Sequence, residues 1–229
     1  MKRDGTQFYT KGGKLIDISS WDKNNDINEL DSKHGWEGAM AYGNLINDEL
    51  NFKGPGIQHG DVYLDLGANI GMSSLRAELS GASKLYCIEP DPLVYDALEM
   101  NKSSNWETFN IAIADYIGLI EIPRWPDWTD KIPRACFTLE HFFQINNINH
   151  IDYMKVDIEG HEIKILPSIP KSVYDKISKI FIEYHEDTQI SNKDRDINRL
   201  KFINSIISKG YKNHHIHLAY HQSFMYFWK

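Results

Sequence analysis

Cysteine is scarce in this chain, with only two in 229 residues. Cys87 lies in the apolar run LYCI, where a buried thiol is expected, and Cys136 lies in a segment that we predict to be a loop. Neither their number nor their spacing fits a disulfide framework or a CxxC metal or redox motif. We therefore expect a protein of a reducing compartment.

Long apolar runs and an excess of positive charge are also absent. No stretch approaches the roughly 18 consecutive apolar residues of a membrane span, and the opening residues, MKRDGTQFYT, lack the apolar centre of a signal peptide. The chain carries 25 Lys and Arg against 32 Asp and Glu, which argues against nucleic acid as the main partner. These features predict a soluble, cytoplasmic protein without a membrane partner.

From residue 62 onward, apolar runs alternate with helical patterns. Five runs predict strands: VYLDL, LYCIEP, FNIAIAD, IDYMKVD and ISKIFIEYH. The segments between them predict helices, with Pro92 near the start of one and Thr138 as the N-cap of another. This βα alternation predicts a parallel sheet. After the helix RDINRLKFINSIISKG, the runs YKNHHIHL and SFMYFWK are joined by so short a link that they must pair antiparallel.

We therefore predict an α/β fold, a Rossmann-like doubly wound sheet of seven strands in the order 3-2-1-4-5-7-6. The sheet is mostly parallel and ends in an antiparallel hairpin. The glycine-rich segment KGPGIQHGD marks the border of this main domain, 61–229. Residues 1–60 form an N-terminal extension with a short strand in KGGKLIDIS and a lid helix in GWEGAMAYGNLINDEL, packed on the core.

Three loops of this sheet follow the first three strands, where ligands of doubly wound folds bind. The first loop, DLGANIG, contributes Asp65, Gly67, Asn69 and Gly71. In the second loop, IEPDP, Glu89 ends a strand and can accept hydrogen bonds from both hydroxyls of a ribose. The third loop places Asp115, after Ala114, where an adenine edge would lie.

The first loop departs from the dinucleotide fingerprint GxGxxG, because Asn69 and Met72 stand in place of the second and third glycines. A diphosphate finds less room there, which disfavours the rival reading of a nicotinamide-dependent oxidoreductase. Asp65 instead suits a ligand with a positive group. Ribose, adenine and a cationic group without a pyrophosphate describe S-adenosylmethionine.

These loops, together with FTLE and above all MKVDIEGHE, resemble the FkbM-type methyltransferases of the class I S-adenosylmethionine-dependent fold. The resemblance covers roughly residues 60–185. It implies O-methylation, with a sugar of a glycan or of a glycosylated metabolite as the acceptor. A catalytically inactive methyltransferase-like binding module is the rival from another functional class.

MKVDIEGHE lies at the carboxyl end of the fourth predicted strand, where a methyl acceptor would sit. A sugar hydroxyl needs its proton removed during attack, by a base or with the help of a metal ion. Asp157 is the first candidate for either role. Around it we expect a catalytic group of Glu159, His161 and His185, with Lys155 contacting the substrate.

The fifth strand brings Glu183 and His185 to the same edge, so that Asp157, Glu183 and His185 form a candidate site for Mg²⁺ or Mn²⁺. Some sugar O-methyltransferases similar to this region use a divalent ion, but their motif carries further acidic residues in place of Glu183-Tyr184-His185, which weakens the prediction. The structural alternative is that Lys155 and Asp157 form an ion pair that only fixes the loop.

The loop predicted for IPRWPDWTDKIPR offers Trp125 and Trp128 as platforms for a sugar ring and Arg134 as a partner for an anionic group. Anchoring of the loop by the two indoles is the equally weighted alternative. The four histidines of NHHIHLAYH, without a carboxylate or cysteine at ligand spacing, indicate a solvated strand face. His34, Trp36 and Glu37 belong either to the lid or to a packed helix start.

Overall fold

The structure is a computed structural model that describes residues 7–9, 15–17, 54–123, 129–187, 189–218 and 222–229. Its strands are β1 Gln7–Tyr9, β2 Leu15–Asp17, β3 Val62–Leu66, β4 Lys84–Ile88, β5 Trp106–Phe109, β6 Ala112–Ile113, β7 Gly118–Pro123, β8 Lys131–Phe137, β9 Ile151–Val156, β10 Ile177–His185, β11 Asn213–Leu218 and β12 Gln222–Trp228. Its helices are α1 Met72–Leu79, α2 Pro92–Asn101, α3 Leu139–Ile145, α4 Glu162–Ser168, α5 Lys171–Tyr174 and α6 Asn192–Ile207.

Seven strands form the main sheet in the spatial order β5-β4-β3-β9-β10-β12-β11. The first five run parallel, and β12 pairs antiparallel with both β10 and β11. Numbered along the chain within this sheet, the order is 3-2-1-4-5-7-6. The predicted fold class and the C-terminal hairpin are therefore confirmed.

Helices cover both faces of this sheet because its central strands are apolar on both sides. Leu64 and Leu66 of β3 point into a core formed with α3, α4, α5 and α6. Tyr63 of the same strand points into a second core with α1 and α2. Asp65 lies on the same face as Tyr63, because alternate residues of a strand point to the same face of the sheet. The face on which each residue lies decides which charged side chains can meet at the strand ends.

The capping residues explain where several helices begin. Pro92 is the first residue of α2, as predicted, and the carboxylate of Asp91 caps that helix by accepting from the backbone N–H of Leu93. Thr138 caps α3 by accepting from the N–H of His141 at 3.1 Å, which confirms its predicted role. Ser191 caps α6, so that helix begins three residues before the segment we predicted.

The third strand was predicted wrongly as one segment, FNIAIAD. The main sheet contains only Trp106–Phe109, and Ala112–Ile113 belongs to a second, three-stranded sheet in the order β6-β8-β7. The break falls at Asn110, whose side-chain amide donates to the carbonyl oxygens of Glu89 and Pro90. This contact ties the chain to the preceding loop and directs it away from β4.

The prediction of a loop is wrong for residues 122–123 and 131–134, which lie in the antiparallel strands β7 and β8. Pro133 is compatible with β8 since the other edge of the strand pairs with β6 only at Cys136 and Phe137. Cys136 is therefore a buried strand residue, and its thiol donates to the carbonyl oxygen of Tyr116. The predicted buried position of Cys87 is confirmed.

The predicted short strand near the N-terminus is present, because Leu15–Asp17 pairs with Gln7–Tyr9. The predicted lid helix and His34, Trp36 and Glu37 lie outside the described residues. The division into an extension, 1–60, and a main domain, 61–229, stays a prediction. Within the described ranges, no helix is both long and apolar enough to cross a lipid bilayer.

The ends of β3 and β9 meet at Gly67, which has a φ of +82°. A Cβ atom at this position would lie 1.7 Å from the carbonyl oxygen of Asp157. The adjacent backbone is tied as well, since the N–H of Asp157 donates to the carbonyl oxygen of Leu66 at 2.9 Å. A residue without a side chain is therefore required where the first loop crosses the fourth parallel strand.

Gly67→Ala should consequently lower the free energy of unfolding by about 3 kcal/mol or more, which corresponds to a drop in Tm of about 6–12 °C. Gly56→Ala is the matched control, because a Cβ atom there would have no neighbour within 4 Å. Thermal unfolding followed by circular dichroism measures both. A Gly67→Ala protein with the wild-type Tm would show that the two loops are not packed as described.

Candidate active site

A cleft lies over the carboxyl ends of β3, β4 and β9 and encloses about 1070 Å³, part of it open to solvent. Its walls are mostly apolar, and they include the β6–β8–β7 sheet, which closes one side. The polar groups are concentrated at the strand ends. An apolar lining with a few convergent polar groups is typical of a site for a cofactor or another small molecule. The lining residues are Leu66, Gly67, Asn69, Ile88, Glu89, Pro90, Asp91, Val94, Ala112, Ile113, Ile120, Ile122, Pro123, Asp157, Ile158, Glu159 and His161.

Glu89 is the best-fixed polar side chain of the cleft. One carboxylate oxygen accepts from the backbone N–H of Asn69 at 3.0 Å, and the other accepts from the N–H of Asp91 at 2.9 Å. Asn69 has a φ of +53°, a conformation that asparagine tolerates better than most residues, and it aims this N–H at Glu89. A carboxylate oxygen has more than one lone pair, so Glu89 keeps the capacity to accept ligand hydroxyls.

Three residues predicted to bind the cofactor do not line the cleft. Gly71 packs instead against Trp106 and Leu98, where a Cβ atom would lie within 3 Å of both side chains. Asp115 forms an ion pair with Lys164 at 3.1 Å on the surface. The third residue, Asp65, is fully buried. Gly67, Asn69 and Glu89 are the predicted cofactor residues that the structure brings together around the cleft.

One carboxylate oxygen of Asp65 accepts from the hydroxyls of Ser73 and Ser74, each at 2.6 Å. Its other oxygen has no hydrogen bond, but it lies 3.5 Å from the ammonium group of Lys155. The negative charge of Asp65 is thus directed to an internal cation. Its position beneath the loop indicates that it orders the loop rather than contacting a ligand directly.

Lys155 connects the first loop with a group of charged side chains, Asp157, Glu159, Glu183 and His185, called the acidic cluster below. Its Nζ atom donates to the carboxylate of Asp157 at 3.1 Å and to the carbonyl oxygen of Gly67 at 3.2 Å, with Asp65 at 3.5 Å. Lys155 thus makes two hydrogen bonds and one ion pair with groups of the protein. Burial lowers the pKa of Lys155, but Asp157, Asp65 and Glu183 outweigh burial and hold the pKa well above its ordinary value. This geometry favours an internal role over the predicted contact with substrate.

Asp157, Glu183 and His185 converge beside the cleft. One possible ligand atom from each residue lies within 4.8 Å of those of the other two, and all three side chains are partly exposed. The imidazole Nε2 of His185 lies 4.0 Å from Asp157 and 3.9 Å from Glu183. The candidate metal set named from the sequence is thus assembled at the predicted edge, and its occupancy by an ion stays a prediction.

Glu162 is a residue of the site that the sequence interpretation missed. It is fully buried, and one of its carboxylate oxygens accepts from both the backbone N–H of His185, at 2.7 Å, and the imidazole Nδ1, at 3.0 Å. Its other oxygen accepts from the N–H of Gly160 at 2.9 Å. The sequence did contain a signal for this role, namely a glutamate at the first position of a short helix directly after a Gly turn.

This contact directs the Nε2 atom of His185 toward the acidic cluster. Burial lowers the pKa of His185, but the hydrogen bond and the charge of Glu162, followed by Asp157 and Glu159, raise the pKa from 6.5 to about 9. Burial, and then the charge of Asp157, raise the pKa of Glu183 from 4.5 to about 7. The cluster therefore holds protons at neutral pH that ordinary side chains would release.

Glu159 and His161 line the cleft beside the same turn. Glu159 has a φ of +55°, which is strained for a residue with a side chain, and its carboxylate lies 3.6 Å from the Nε2 of His185. Burial and the charge of Asp157 raise the pKa of Glu159. Glu159 is therefore part of the acidic cluster, His161 lies next to it, and their catalytic role stays a prediction.

The remaining candidates are less well placed. Trp125 and Trp128 lie outside the described residues. Arg134 lies in β8, opposite Ile120, and its buried Nε has no hydrogen-bond partner. The histidines of β11 are largely exposed. In the part of the chain that the structure describes, the group with metal-ligand spacing is Asp157, Glu183 and His185.

The chain resembles several known proteins. One similar solved structure is fibrillarin from Aeropyrum pernix in complex with natively bound S-adenosyl-L-methionine. Its sequence is 12% identical to this chain, the match covers 76% of this chain and 69% of fibrillarin, and the TM-score is 0.47. For precorrin 8w decarboxylase from Methanobacterium thermoautotrophicum, the identity is 15% over 80% and 96% of the two chains, with a TM-score of 0.45. No curated protein sequence matches.

The strand order and the cleft at the strand ends define a class I methyltransferase fold. A family model described as the methyltransferase FkbM domain matches residues 124–212. The match covers less than half of the 229 residues but contains MKVDIEGHE and the whole acidic cluster. It confirms the resemblance to the FkbM-type methyltransferases over that part of the chain and supports S-adenosylmethionine-dependent methyl transfer.

Glu89→Gln should weaken the binding of S-adenosylhomocysteine by about 1.5–3 kcal/mol, because a charged acceptor for the ribose hydroxyls is lost. Isothermal titration calorimetry measures the change. Glu107→Gln is the control, since Glu107 lies in β5 outside the cleft and pairs with Lys84. Unchanged affinity in a folded Glu89→Gln protein would mean that the ribose does not lie at the end of β4.

Proposed function

We propose that this protein transfers a methyl group from S-adenosylmethionine to a hydroxyl oxygen of a sugar, in a glycan or a glycosylated metabolite. The convergence of Asp157, Glu183 and His185 beside the cleft carries the proposal. Of these residues, Asp157 lies directly against Gly67, where the first loop crosses the end of β9. A hydroxyl placed beside them would meet the donor and the groups that handle its proton at the same point.

The cleft suits the methyl donor, which supplies an electrophilic methyl group on a sulfonium. Glu89 is held ready by two backbone N–H groups to accept from the ribose. Ala112 and Ile113 provide an apolar wall for the adenine. The backbone of Asn69 is already engaged with Glu89, which leaves the first loop a poor cradle for the pyrophosphate of a nicotinamide cofactor.

The acceptor hydroxyl must lose its proton to a group of the protein during methyl transfer. His185 is unsuited at neutral pH, because a pKa of about 9 leaves its imidazole protonated. Asp157 is occupied by the ammonium group of Lys155 on one of its oxygens. Glu183, with a pKa of about 7, is the group best matched to accept the proton. The negative charge of Asp157 helps to keep the pKa of Glu183 at this raised value.

A divalent cation fits the same residues. Two carboxylates and one imidazole are suitable donors for Mg²⁺ or Mn²⁺, and the Nδ1 contact of His185 with Glu162 is the outer contact that orients such ligands. Asp157, Glu183 and His185 would hold the ion, which would lower the pKa of a hydroxyl bound to it. Glu162 would then keep the Nε2 atom of His185 directed at the ion.

A sugar acceptor follows from the family resemblance, and the charge of the site supports it over nucleic acid. Glu89, Asp91, Asp157 and Glu159 line the cleft, and carboxylates at this density repel a phosphate backbone. Neutral hydroxyl groups, in contrast, can donate to them. The assembled proton-handling groups also speak for an active enzyme over a binding module that has lost its activity.

Asp157→Asn keeps the shape of the side chain but removes the charge that pairs with Lys155, raises the pKa of Glu183 and would bind an ion, so turnover should fall while S-adenosylhomocysteine affinity is preserved. The loss of a general base, the role given to Glu183, lowers a rate by roughly 10²–10⁴ and sets the upper bound for this variant. The assay is transfer of a labelled methyl group to a panel of saccharides. Asp175→Asn is the control, because Asp175 is exposed and pairs with Lys171 away from the cleft. Near-normal turnover of a folded Asp157→Asn enzyme would contradict the proposed role.

Chelation separates the two forms of the mechanism. If the cluster holds an ion, EDTA abolishes wild-type activity, Mg²⁺ or Mn²⁺ restores it, and Glu183→Gln is as damaging as Asp157→Asn. If Glu183 acts as the base without an ion, EDTA has no effect. The rate then falls as the pH drops below about 7, because Glu183 becomes protonated.

A further inference from the structure

A row of side chains crosses the main sheet from the acidic cluster to the edge strand. Ile182 of β10 pairs with Val156 of β9, so Glu183 lies beside Asp157 at the next position. Glu183 is also directly opposite Phe224 of β12. Phe224 in turn is opposite His217 of β11, and directly opposed residues present their side chains on one face.

The row lies at the same strand ends as the acidic cluster. Asp157 follows the last residue of β9, Glu183 is near the end of β10, and Phe224 is near the start of the antiparallel β12. Neighbouring strands are spaced by about 4.8 Å, so Phe224 lies about 10 Å from the position of Asp157 along the row. This is far enough to receive the sugar ring next to the one being methylated.

The chemistry of the row is suited to a saccharide. Phe224 is a half-buried ring that stacks with Phe181, with centroids 6.2 Å apart, and the ring of His217 lies beside it with centroids 6.4 Å apart. Glu183 is partly exposed on the other side of Phe224, and His217 is exposed. An apolar ring face between two hydrogen-bonding groups offers a platform for the C–H face of a pyranose and partners for its hydroxyls.

We infer that Phe224 and His217 form a second acceptor subsite, which binds the sugar unit adjacent to the methylated one. This inference rests on the proposed function and extends it to the substrate class: the acceptor is a saccharide of at least two units. The methylated ring occupies the position beside Asp157 and Glu183. The neighbouring ring stacks on Phe224, with His217 bonding one of its hydroxyls at the open edge of the sheet.

The experiment compares single-sugar and two-sugar acceptors. Methyl glycosides of glucose, galactose, mannose, rhamnose, fucose and N-acetylglucosamine are assayed beside their matching disaccharides with labelled S-adenosylmethionine. For the sugar that the wild-type protein methylates, the disaccharide should have a lower KM than the matching methyl glycoside. Phe224→Leu should raise the KM for that disaccharide by about fivefold and change the KM of the methyl glycoside by less than about twofold.

Three further variants keep the result interpretable. Phe224→Tyr retains a ring and should retain the preference for the disaccharide. His217→Ala should reduce the preference, whereas His214→Ala should not, because His214 is an exposed histidine on the other face of the same strand, beside Phe227. Titration with S-adenosylhomocysteine should give the same affinity for all four proteins.

The outcomes distinguish this subsite from the proposed function. Equal effects of Phe224→Leu on both acceptors, or on S-adenosylhomocysteine affinity, would show that Phe224 only packs the sheet and would overturn the inference while the enzyme remains a sugar methyltransferase. No effect on either acceptor would overturn it as well. If wild type methylates none of the saccharides, the proposed function fails, and the subsite fails with it.

Discussion

The proposed acceptor site depends on the contacts that the buried carboxylate of Glu162 makes. One oxygen is shared by the backbone N–H and the imidazole Nδ1 of His185, and the other oxygen takes the N–H of Gly160. The same side chain thus joins the turn after β9 to the end of β10. A buried, ionised carboxylate is stabilised only with such partners, so the three contacts and the charge on His185 form one unit.

The donor and acceptor sides are joined at the neighbouring crossing of two loops. Gly67 allows the first loop to lie against the carbonyl oxygen of Asp157, and Lys155 bridges Asp65, Gly67 and Asp157 from beneath. A methyl donor bound over the first loop is therefore fixed relative to Asp157 by backbone packing and by one internal cation. Neither contact involves a flexible surface side chain, which is how a site holds reacting groups in a productive arrangement.

The sequence predicted the fold well because the apolar runs and caps obey local rules. The strand order, Pro92, Thr138 and the final hairpin all followed from them. The segment GLIEIP was predicted as an extended piece and forms β7. The strand β8 was missed because Pro133 suggested a loop, and only the one-sided pairing of β8 makes a proline acceptable there. The ion pair of Lys155 with Asp157 was the structural alternative that the sequence offered, and the structure contains it. The contacts of Lys155 with Asp65 and Gly67, and of Glu162 with His185, could not be predicted, since they join residues that lie far apart in the chain.

The most direct test of this account is the imidazole pKa of His185, measured by NMR titration in the metal-free protein and in Glu162→Gln. We predict a pKa of about 9 in wild type, falling toward 6.5 in the variant. Because the folded-state pKa lies above that of the unfolded chain, the contact stabilises the fold fully below pH 6.5 and is lost as the pH rises through about 9. A wild-type pKa near 6.5, or one unchanged by Glu162→Gln, would contradict the central role of this contact.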